Sequence, residues 1–311
     1  MWRGCTVYKT FLAGPLATLI LIAGGCGGGG RDPHSNGTGK VPLVSHVFVL
    51  VEENHSYGQV IGNPAMPYTN QLAQRYGLAT QYFANRFNSL PNYFMLTVGD
   101  LVTTNDKFTG TVTANNVVRA VTKAGKSWKV YAESLPHPGY LGASVMPYGR
   151  DHNPFTYFSD VINDSSQAGN VVPFNDLAAD IQNNSLPDYA MIVPNFENDG
   201  HDCPPHIPNC NDTDKLQNID SWISQNIGPL ISSSAFGNSV LIYTWDESDI
   251  NDASNPQERV ATIVIGPKVR AGFQSTTHYQ HQSTLRLTMQ LLGISDYPGA
   301  AATAPDMSEF F

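Results

Sequence analysis

Three apolar runs in the sequence end directly in residues that can do chemistry. The runs are residues 47–51, 189–193 and 240–244, and they continue into the segments EENH, PNFENDGHDC and WDE. In open α/β sheets, ligands bind outside the carboxyl ends of the strands, so acids, amides and an imidazole gathered there predict an active-site edge. Any one of these segments can also be a solvated loop. Their coincidence in a chain with only 14% charged residues favours the site.

The segment NSLPNYFMLTVGD, residues 88–100, supplies the candidate nucleophile. Pro91 fixes φ and suits the first turn of a helix, so Ser89 is predicted to lie just before a helix N-terminus. The free N–H groups and the positive dipole end there favour an anion such as a phosphate or an alkoxide. The alternative is that Ser89 is only the N-cap of this helix. The sequence contains no G-x-S-x-G motif, so a serine-esterase elbow is not indicated.

The elements that must position these residues alternate between strands and helices. Apolar runs predict strands at residues 47–51, 128–132, 189–193, 240–244 and 260–265. Helical spacing and composition predict helices at residues 68–76, 116–124, 216–227 and 285–292. The alternation predicts an α/β fold with a mainly parallel central sheet and helices on both faces. Residues 42–311 show no internal repeat or linker and are predicted to form a single domain.

The charge and hydropathy of the chain argue against two functional classes. The net charge is −9 and there is no basic run, which is unsuitable for a nucleic-acid binder. After the N-terminus, no segment approaches the 18 apolar residues that a membrane-spanning helix needs.

The N-terminal residues are predicted to lie outside the fold. Arg3 and Lys9 precede an apolar stretch of signal-peptide length, and the sequence AGGC then ends at Cys26. This pattern resembles a bacterial lipoprotein signal, so we predict a signal peptide at residues 1–25 and lipidation of Cys26. Residues 26–41 are then a Gly/Ser-rich tether. A plain secretory signal is the alternative; in both cases the protein is exported.

Two cysteines remain in the predicted domain, Cys203 and Cys210. An even pair in an oxidising compartment predicts a disulfide. A two-thiolate zinc site is the alternative.

Several motifs together resemble one family. VEENHSYG, SLPNYFMLTVG, HNPFTYF, PNFENDGHDC, TWDES and HQSTLRLTMQLLGI occur in the order seen in the bacterial acid phosphatase and phospholipase C family of phosphoesterases. The resemblance covers roughly residues 44–295. That family belongs to the alkaline-phosphatase-like superfamily, so the resemblance implies the α/β sandwich of that superfamily.

The resemblance implies a metal site. Glu53 and Asn54 match an acid–amide pair that binds the metal, Asp246 and Glu247 match a second acidic pair, and Ser89 matches the nucleophile beside it. These residues offer only oxygen ligands, which suit hard divalent cations such as Mg, Ca or Mn. The sequence does not choose among these ions, Fe and Zn.

The superfamily that the sequence resembles includes alkaline phosphatases, which hold two metals. A second metal would have to use Asp199, His201 and His281, a sparse set. We therefore expect one divalent metal ion.

The resemblance further implies residues that handle the phosphate. Asn92 matches an amide that contacts phosphate, His201 and His281 match histidines that face it, and His152 and Asp202 are further candidates for substrate binding. Histidines titrate near neutral pH and can protonate a leaving alkoxide.

One departure from the family stands next to the nucleophile. Many members have His-Pro before the nucleophilic Ser, whereas this chain has Phe87 and Asn88. A contact that supports the nucleophile in those members is therefore expected to be lost here, which would alter rate or substrate without removing the nucleophile.

The function expected from these observations is a metal-dependent phosphomonoesterase of the cell envelope that acts through a phosphoserine. Its partner would be a small-molecule phosphate ester, with membrane attachment only through the N-terminal lipid. One alternative is a phospholipase C-type phosphodiesterase, although such members usually carry extra C-terminal domains. Another is a catalytically inactive envelope-binding lipoprotein, which the presence of Ser89 and both acidic pairs argues against. The oligomeric state is left open.

Overall fold

A computed structural model describes residues 40–255 and 257–311. The predicted signal peptide at residues 1–25, the lipidation site Cys26 and the tether up to residue 39 lie outside the described residues. None of the helices in the described part of the chain combines the length and apolarity that a membrane span requires.

The described residues contain ten strands in two sheets. In the large sheet the order is β5-β4-β6-β1-β7-β8-β2-β9, and the small sheet pairs β10 with β3. The strands are β1 (His46–Glu52), β2 (Gly77–Ala79), β3 (Tyr82–Phe83), β4 (Trp128–Ala132), β5 (Val171–Pro173), β6 (Tyr189–Val193), β7 (Ser239–Trp245), β8 (Thr262–Ile265), β9 (Gln274–Ser275) and β10 (Tyr279–Gln280). Five neighbouring strands, β5 to β7 in that order, are parallel, and β8 pairs antiparallel with β7 and β2. The predicted α/β fold with a mainly parallel sheet is confirmed.

Ten α-helices in the described residues surround the large sheet. They are α1 (Tyr57–Val60), α2 (Pro67–Arg75), α3 (Ser89–Thr97), α4 (Val117–Lys123), α5 (Ser159–Ile162), α6 (Ser165–Ala168), α7 (Asp176–Asn183), α8 (Asp212–Asn226), α9 (Gly228–Ser232) and α10 (His281–Leu291). Helix α2 packs against α8, and α3 packs against α10. The helix predicted at residues 285–292 begins four residues earlier than expected, at His281, which places that histidine in the first turn of α10.

Strands β1 and β7 occupy the middle of the large sheet and are almost entirely buried. Their sequences, HVFVLVE and SVLIYTW, are nearly continuous apolar runs, as expected for parallel strands covered on both faces. The two strands run in register from His46 opposite Ser239 to Glu52 opposite Trp245. The residues that follow each strand, Glu53 and Asp246, therefore emerge at the same edge of the sheet.

The start of helix α2 is fixed by a side chain from α8. Met66, the N-cap of α2, makes no side-chain cap bond. Instead the backbone N–H groups of Tyr68 and Thr69 donate to the carboxylate of Asp220, at 2.9 and 2.7 Å. Asp220 is buried, so one carboxylate satisfies two helix-end donors and joins the two helices.

We expect Asp220→Ala to lower the free energy of unfolding by about 1–2 kcal/mol, because a buried helix cap is lost. Denaturant-induced unfolding measures the change. An unfolding midpoint equal to that of the wild type would contradict the capping role.

Candidate active site

Three carboxylates meet at the edge where β1 and β7 end. One oxygen from each of Glu53, Asp246 and Glu247 lies within 4.8 Å of the others, and all three side chains are buried. The backbone N–H of Asp246 donates to the carbonyl of Glu52 at 2.9 Å, which continues the β1–β7 pairing by one residue. The strand register thus brings together two acidic segments that are almost 200 residues apart in sequence.

The carboxylate cluster has the properties of a cation site. Asp246 Oδ2 and Glu247 Oε2 are buried and have no hydrogen-bond partner among the described residues. Burial and mutual repulsion raise the pKa of Asp246 well above its usual range and that of Glu247 to about 10. The carboxylates of this cluster are therefore costly as bare anions, and a divalent cation would offset that cost. The oxygen-only donor set fits a hard divalent ion.

Asn54 adjoins the cluster in the turn that follows β1. Its φ of 56° lies in the left-handed region, which asparagine tolerates better than most residues. Its amide nitrogen donates to Glu53 Oε2 at 2.6 Å, which orients that carboxylate.

Ser89 is brought to the same cluster by helix α3. It is the first residue of the helix, and Asn88 is the N-cap, so the expectation that Ser89 precedes the helix or caps it is wrong by one position. The Ser89 hydroxyl instead donates to Glu53 Oε2 at 3.2 Å. The side chain is therefore directed at the carboxylates rather than at its own helix.

Asn92 has a different place from the one that the resemblance implied. Its Oδ1 accepts from the backbone N–H groups of Asn85 and Arg86, and its Nδ2 donates to the carbonyls of Arg86 and Asn88. Two acceptor and two donor positions are the full capacity of an amide side chain. This arrangement argues against the predicted phosphate contact, and in this structure Asn92 holds the loop that leads into Ser89.

His152 is held between two carboxylates in the interior. Its Nε2 lies 2.9 Å from Glu53 Oε1 and its Nδ1 lies 3.0 Å from Asp199 Oδ2. Burial alone would lower the pKa of His152, but Glu53 and Asp199 together raise it well above its usual value. The two carboxylates thus favour the protonated ring, which orients Glu53 and in that form offsets part of the negative charge of the cluster.

His281 is also fully buried but contacts backbone rather than carboxylates. Its Nε2 donates to the carbonyl of Asp246 at 2.6 Å, and its Nδ1 lies 3.1 Å from the Tyr82 hydroxyl. Burial lowers the pKa of His281 to about 4. Both ring nitrogens have protein partners in this structure, which argues against the expectation that His281 faces the phosphate and donates a proton. It supports the turn that carries Asp246.

His201 is the most exposed of these three histidines. Its side chain is 42% exposed, and its Nδ1 lies 2.9 Å from Asp202 Oδ1. Its ring stacks on Phe196 at 4.6 Å and lies 5.9 Å from the ring of His152, measured between centroids. The backbone N–H of His201 donates to Asp199 at 2.8 Å, so one carboxylate positions both histidines.

Cys203 and Cys210 form a disulfide, as predicted, which excludes the alternative of a two-thiolate zinc site. The bridge closes the loop that begins two residues after His201. In the described residues, Glu53, Asp246 and Glu247 are the only acid, histidine or cysteine group of three with ligand spacing. The alternative second set of Asp199, His201 and His281 is not brought together, because His281 lies against the backbone of Asp246.

The geometry agrees with what sequence comparison finds. The family model described as the Phosphoesterase family matches residues 63–295, three quarters of the chain. The chain belongs to the phosphoesterase family. It is therefore a hydrolase of phosphate esters, and the resemblance seen in its motifs is confirmed.

Named relatives of this phosphoesterase are phosphatases. The chain is 30% identical to a phosphatidylinositol-3-phosphatase of Mycobacterium tuberculosis, over 87% of this chain and 84% of the relative. It is 29% identical to a probable acid phosphatase of Kluyveromyces lactis and 30% identical to an acid phosphatase of Aspergillus fumigatus, over 76% and 82% of this chain. The match spans only 56% of the length of each of these two relatives.

Solved structures show the same fold. The lipoteichoic acid synthase LtaP of Listeria monocytogenes is similar with a TM-score of 0.60 and 13% identity, over 88% of this chain and 78% of that one. A protein of the alkaline phosphatase superfamily from Vibrio parahaemolyticus gives a TM-score of 0.57 at 12% identity, over 82% and 68%. These similarities establish an alkaline-phosphatase-like architecture for the phosphoesterase.

Glu133 is one site residue that the motifs did not reveal. It follows strand β4, and its carboxylate accepts from the backbone of Asn195, the amide of Asn198 and the indole of Trp222. These bonds fix the loop that carries Asp199. The signal was available, because Glu133 follows a predicted strand in the same way as Glu53 does.

Tyr93 is a second site residue that the sequence motifs did not single out. It lies one helical turn after Ser89 on α3, is fully buried and stacks on His152 with ring centroids 5.3 Å apart. Its hydroxyl has no hydrogen-bond partner among the described residues. Burial, with Glu53 and Asp246 nearby, raises its pKa well above the usual value, so the phenol is a neutral donor beside the cluster. The four-residue spacing from Ser89 is the only signal that the sequence offers for it.

Glu258 is a third such residue, and no motif marks it. It is buried with a φ of 57°, and its Oε2 has no hydrogen-bond partner in residues 40–255 and 257–311. Burial raises the pKa of Glu258 to about 7, and its charge is one of those that raise the pKa of Glu247.

The raised pKa values of Asp246 and Glu247 predict a pH-dependent response to metal removal. A carboxyl group whose pKa is higher in the folded state stabilises the fold fully below its unfolded pKa of about 4, and this contribution is lost as pH rises through the folded pKa. Protein stripped of metal by a chelator should therefore have a lower Tm at about pH 8 than at about pH 5. Because a cation binds the deprotonated ligands, added Mg²⁺, Mn²⁺ or Ca²⁺ should raise Tm more at the higher pH.

Thermal unfolding with and without each ion checks this. Asp246→Asn combined with Glu247→Gln should abolish the rise in Tm that the ion causes, while the surface variant Asp296→Asn should retain this rise. Equal increments at both pH values would place the cation elsewhere.

Proposed function

We propose that the protein is a metal-dependent phosphoric monoester hydrolase of the cell envelope that acts through a phosphoserine. The observation that carries this proposal is the hydroxyl of Ser89, which donates to Glu53 Oε2 at the edge of a buried carboxylate cluster. A nucleophile beside a cation site, in a chain of the phosphoesterase family, is the arrangement that phosphoryl transfer requires.

A divalent cation would be held by oxygen ligands from both strand ends. Glu53 and Asn54 would bind it from β1, Asp246 and Glu247 from β7, and Ser89 from α3. When bound, a divalent ion lowers the pKa of a neighbouring hydroxyl and offsets charge on the phosphoryl oxygens.

The proposed reaction has two steps, transfer of the phosphoryl group to Ser89 and hydrolysis of the phosphoserine. The Ser89 hydroxyl loses its proton to solvent, and Ser89 Oγ attacks phosphorus in line. The bond from Oγ to phosphorus forms as the bond from phosphorus to the ester oxygen breaks. A water molecule then attacks phosphorus and gives a proton to His201 as the bond from phosphorus to Oγ breaks; inorganic phosphate is released, and Oγ takes up a proton from solvent, which restores Ser89.

Three histidines have three separate tasks in this proposal. His152 stays protonated and holds Glu53 in place. His281 stays neutral and holds the backbone of Asp246. His201 is the most exposed of the three, so it is the histidine that would give a proton to the leaving alkoxide, with Asp202 orienting its ring.

The monoester substrate is supported by the names of the relatives, which include acid phosphatases and a phosphatidylinositol-3-phosphatase. The presence of Ser89 and of both acidic pairs argues against an inactive binding protein. A small-molecule phosphate ester is therefore the proposed partner.

Export is supported by the disulfide between Cys203 and Cys210, since such bonds persist in oxidising compartments. The lipid anchor at Cys26 is proposed from the sequence alone. The same applies to the division into a signal peptide, a tether and a domain at residues 42–311.

Ser89→Ala should leave a folded protein whose turnover of p-nitrophenyl phosphate falls by several powers of ten, because nucleophile deletions cost that much. Acid-quenched wild-type enzyme should carry one phosphate on the peptide that contains Ser89, as measured by mass spectrometry. The control Ser239→Ala removes a buried hydroxyl at the opposite end of β7 and should keep turnover. A Ser89→Ala enzyme that keeps a tenth of wild-type activity would contradict the assignment of Ser89 as the nucleophile.

Substrate preference separates the monoesterase from the diesterase. We expect kcat/KM for p-nitrophenyl phosphate to exceed that for p-nitrophenyl phosphorylcholine, as the proposed monoesterase activity requires. The two substrates share a leaving group and differ only in the second ester, so the ratio reports the preference for a monoester over a diester. Steady-state rates with metal content measured in the same samples decide this. The reverse order would favour a phospholipase C-type activity.

A further inference from the structure

The two residues that flank Ser89 are bound by the same carboxylate. Asn88 Nδ2 donates to Asp106 Oδ2 at 2.7 Å, and the backbone N–H of Leu90 donates to Asp106 Oδ1 at 3.0 Å. Asp106 comes from a separate loop, 16 residues after Leu90 along the chain. Ser89 itself makes no bond to Asp106, and its hydroxyl is directed at Glu53.

The loop that carries Asp106 is packed against helix α3. Two residues further on, the ring of Phe108 packs edge-on against Phe94 of helix α3, with centroids 5.9 Å apart, and against Tyr157 at 5.8 Å. The loop that carries Asp106 is thus docked on the same helix that carries the nucleophile. The carboxylate of Asp106 can therefore hold the first turn of α3 in a fixed position through its two hydrogen bonds.

We propose that Asp106 is a positioning residue for Ser89, holding the nucleophile from both sides through Asn88 and Leu90. This inference rests on the proposed role of Ser89. Asn88 places a side-chain donor directly before the nucleophile, and Asp106 accepts its hydrogen bond.

A carboxylate suits this position for two reasons. It accepts two hydrogen bonds in different directions, one on each oxygen. It also satisfies a free N–H at the positive end of the α3 dipole, which neither Ser89 nor the N-cap Asn88 does with its side chain. Asn92 holds the other side of the same loop, through Arg86 and the carbonyl of Asn88. Two separate anchors thus fix the backbone on which Ser89 stands.

Asp106→Ala should lower kcat for p-nitrophenyl phosphate by about 10- to 100-fold with a small change in KM, because a displacement near 1 Å at the reacting group costs about a hundredfold in rate. Asn88→Asp alone should be worse than Asn88→Ala, since two carboxylates would then face each other. The double variant Asn88→Asp with Asp106→Asn exchanges donor and acceptor. It should recover most of the lost kcat.

Asp220→Ala is the matched control, because Asp220 also binds the first turn of a helix from another element by two hydrogen bonds. It should lose a similar amount of stability and keep kcat. If Asp106→Ala loses stability but keeps kcat, Asp106 is only a structural cap and the inference is overturned. A folded double variant without recovery of kcat overturns it as well.

Further variants cover the case in which Asp106→Ala does not fold and separate the role of Asp106 from that of Ser89. Should Asp106→Ala fail to fold, Asn88→Ala removes one of the two bonds and should still lower kcat; unchanged kcat there would reject the positioning role. Should Ser89→Ala remain active, the proposed function fails irrespective of Asp106. Loss of activity in Ser89→Ala together with normal kcat in the Asp106 and Asn88 variants rejects the positioning role alone.

Discussion

The burial of three carboxylates at one point is the constraint on which the rest of the site depends. Glu53, Asp246 and Glu247 are all buried, and their mutual repulsion and loss of solvent raise their pKa values. Such a cluster is unfavourable unless positive charge is placed beside it. The imidazolium of His152 supplies part of that charge within the protein, and the remaining oxygen atoms fit a divalent cation. The cost of the cluster and its capacity to bind a cation therefore have the same physical origin.

The sheet provides the geometry that makes this burial possible. Strands β1 and β7 pair in parallel along seven positions, so the residues after their last pair emerge together. A register shift of one residue would turn every side chain of a strand to the opposite face. The observed register of β1 with β7 places Glu53 beside Asp246, so the geometry of the site depends on the pairing of these two core strands.

Environment, rather than residue type, decides what each histidine does. His152 and His281 are equally buried, yet the pKa of His152 is raised by two carboxylates, whereas burial lowers that of His281 to about 4. The first ring bridges two carboxylates, and the second donates to a backbone carbonyl. His201 has a solvent-exposed side chain, and we propose it for proton transfer. A motif that contains a histidine does not distinguish among these three states.

The sequence by itself determined the alternating strands and helices, the acidic residues at the ends of β1 and β7, the candidate nucleophile Ser89 and the disulfide. Each follows from local information: apolar periodicity, strand ends, a proline in a first turn, or a single remaining cysteine pair. Only the tertiary structure decided that Asn92 binds backbone, that His281 supports Asp246, and that Asp106 joins Asn88 to Leu90. Hydrogen-bond capacity is the reason. Whether a polar side chain is free to meet a substrate depends on which partners the fold places around it, and most of these partners lie in distant elements of the chain.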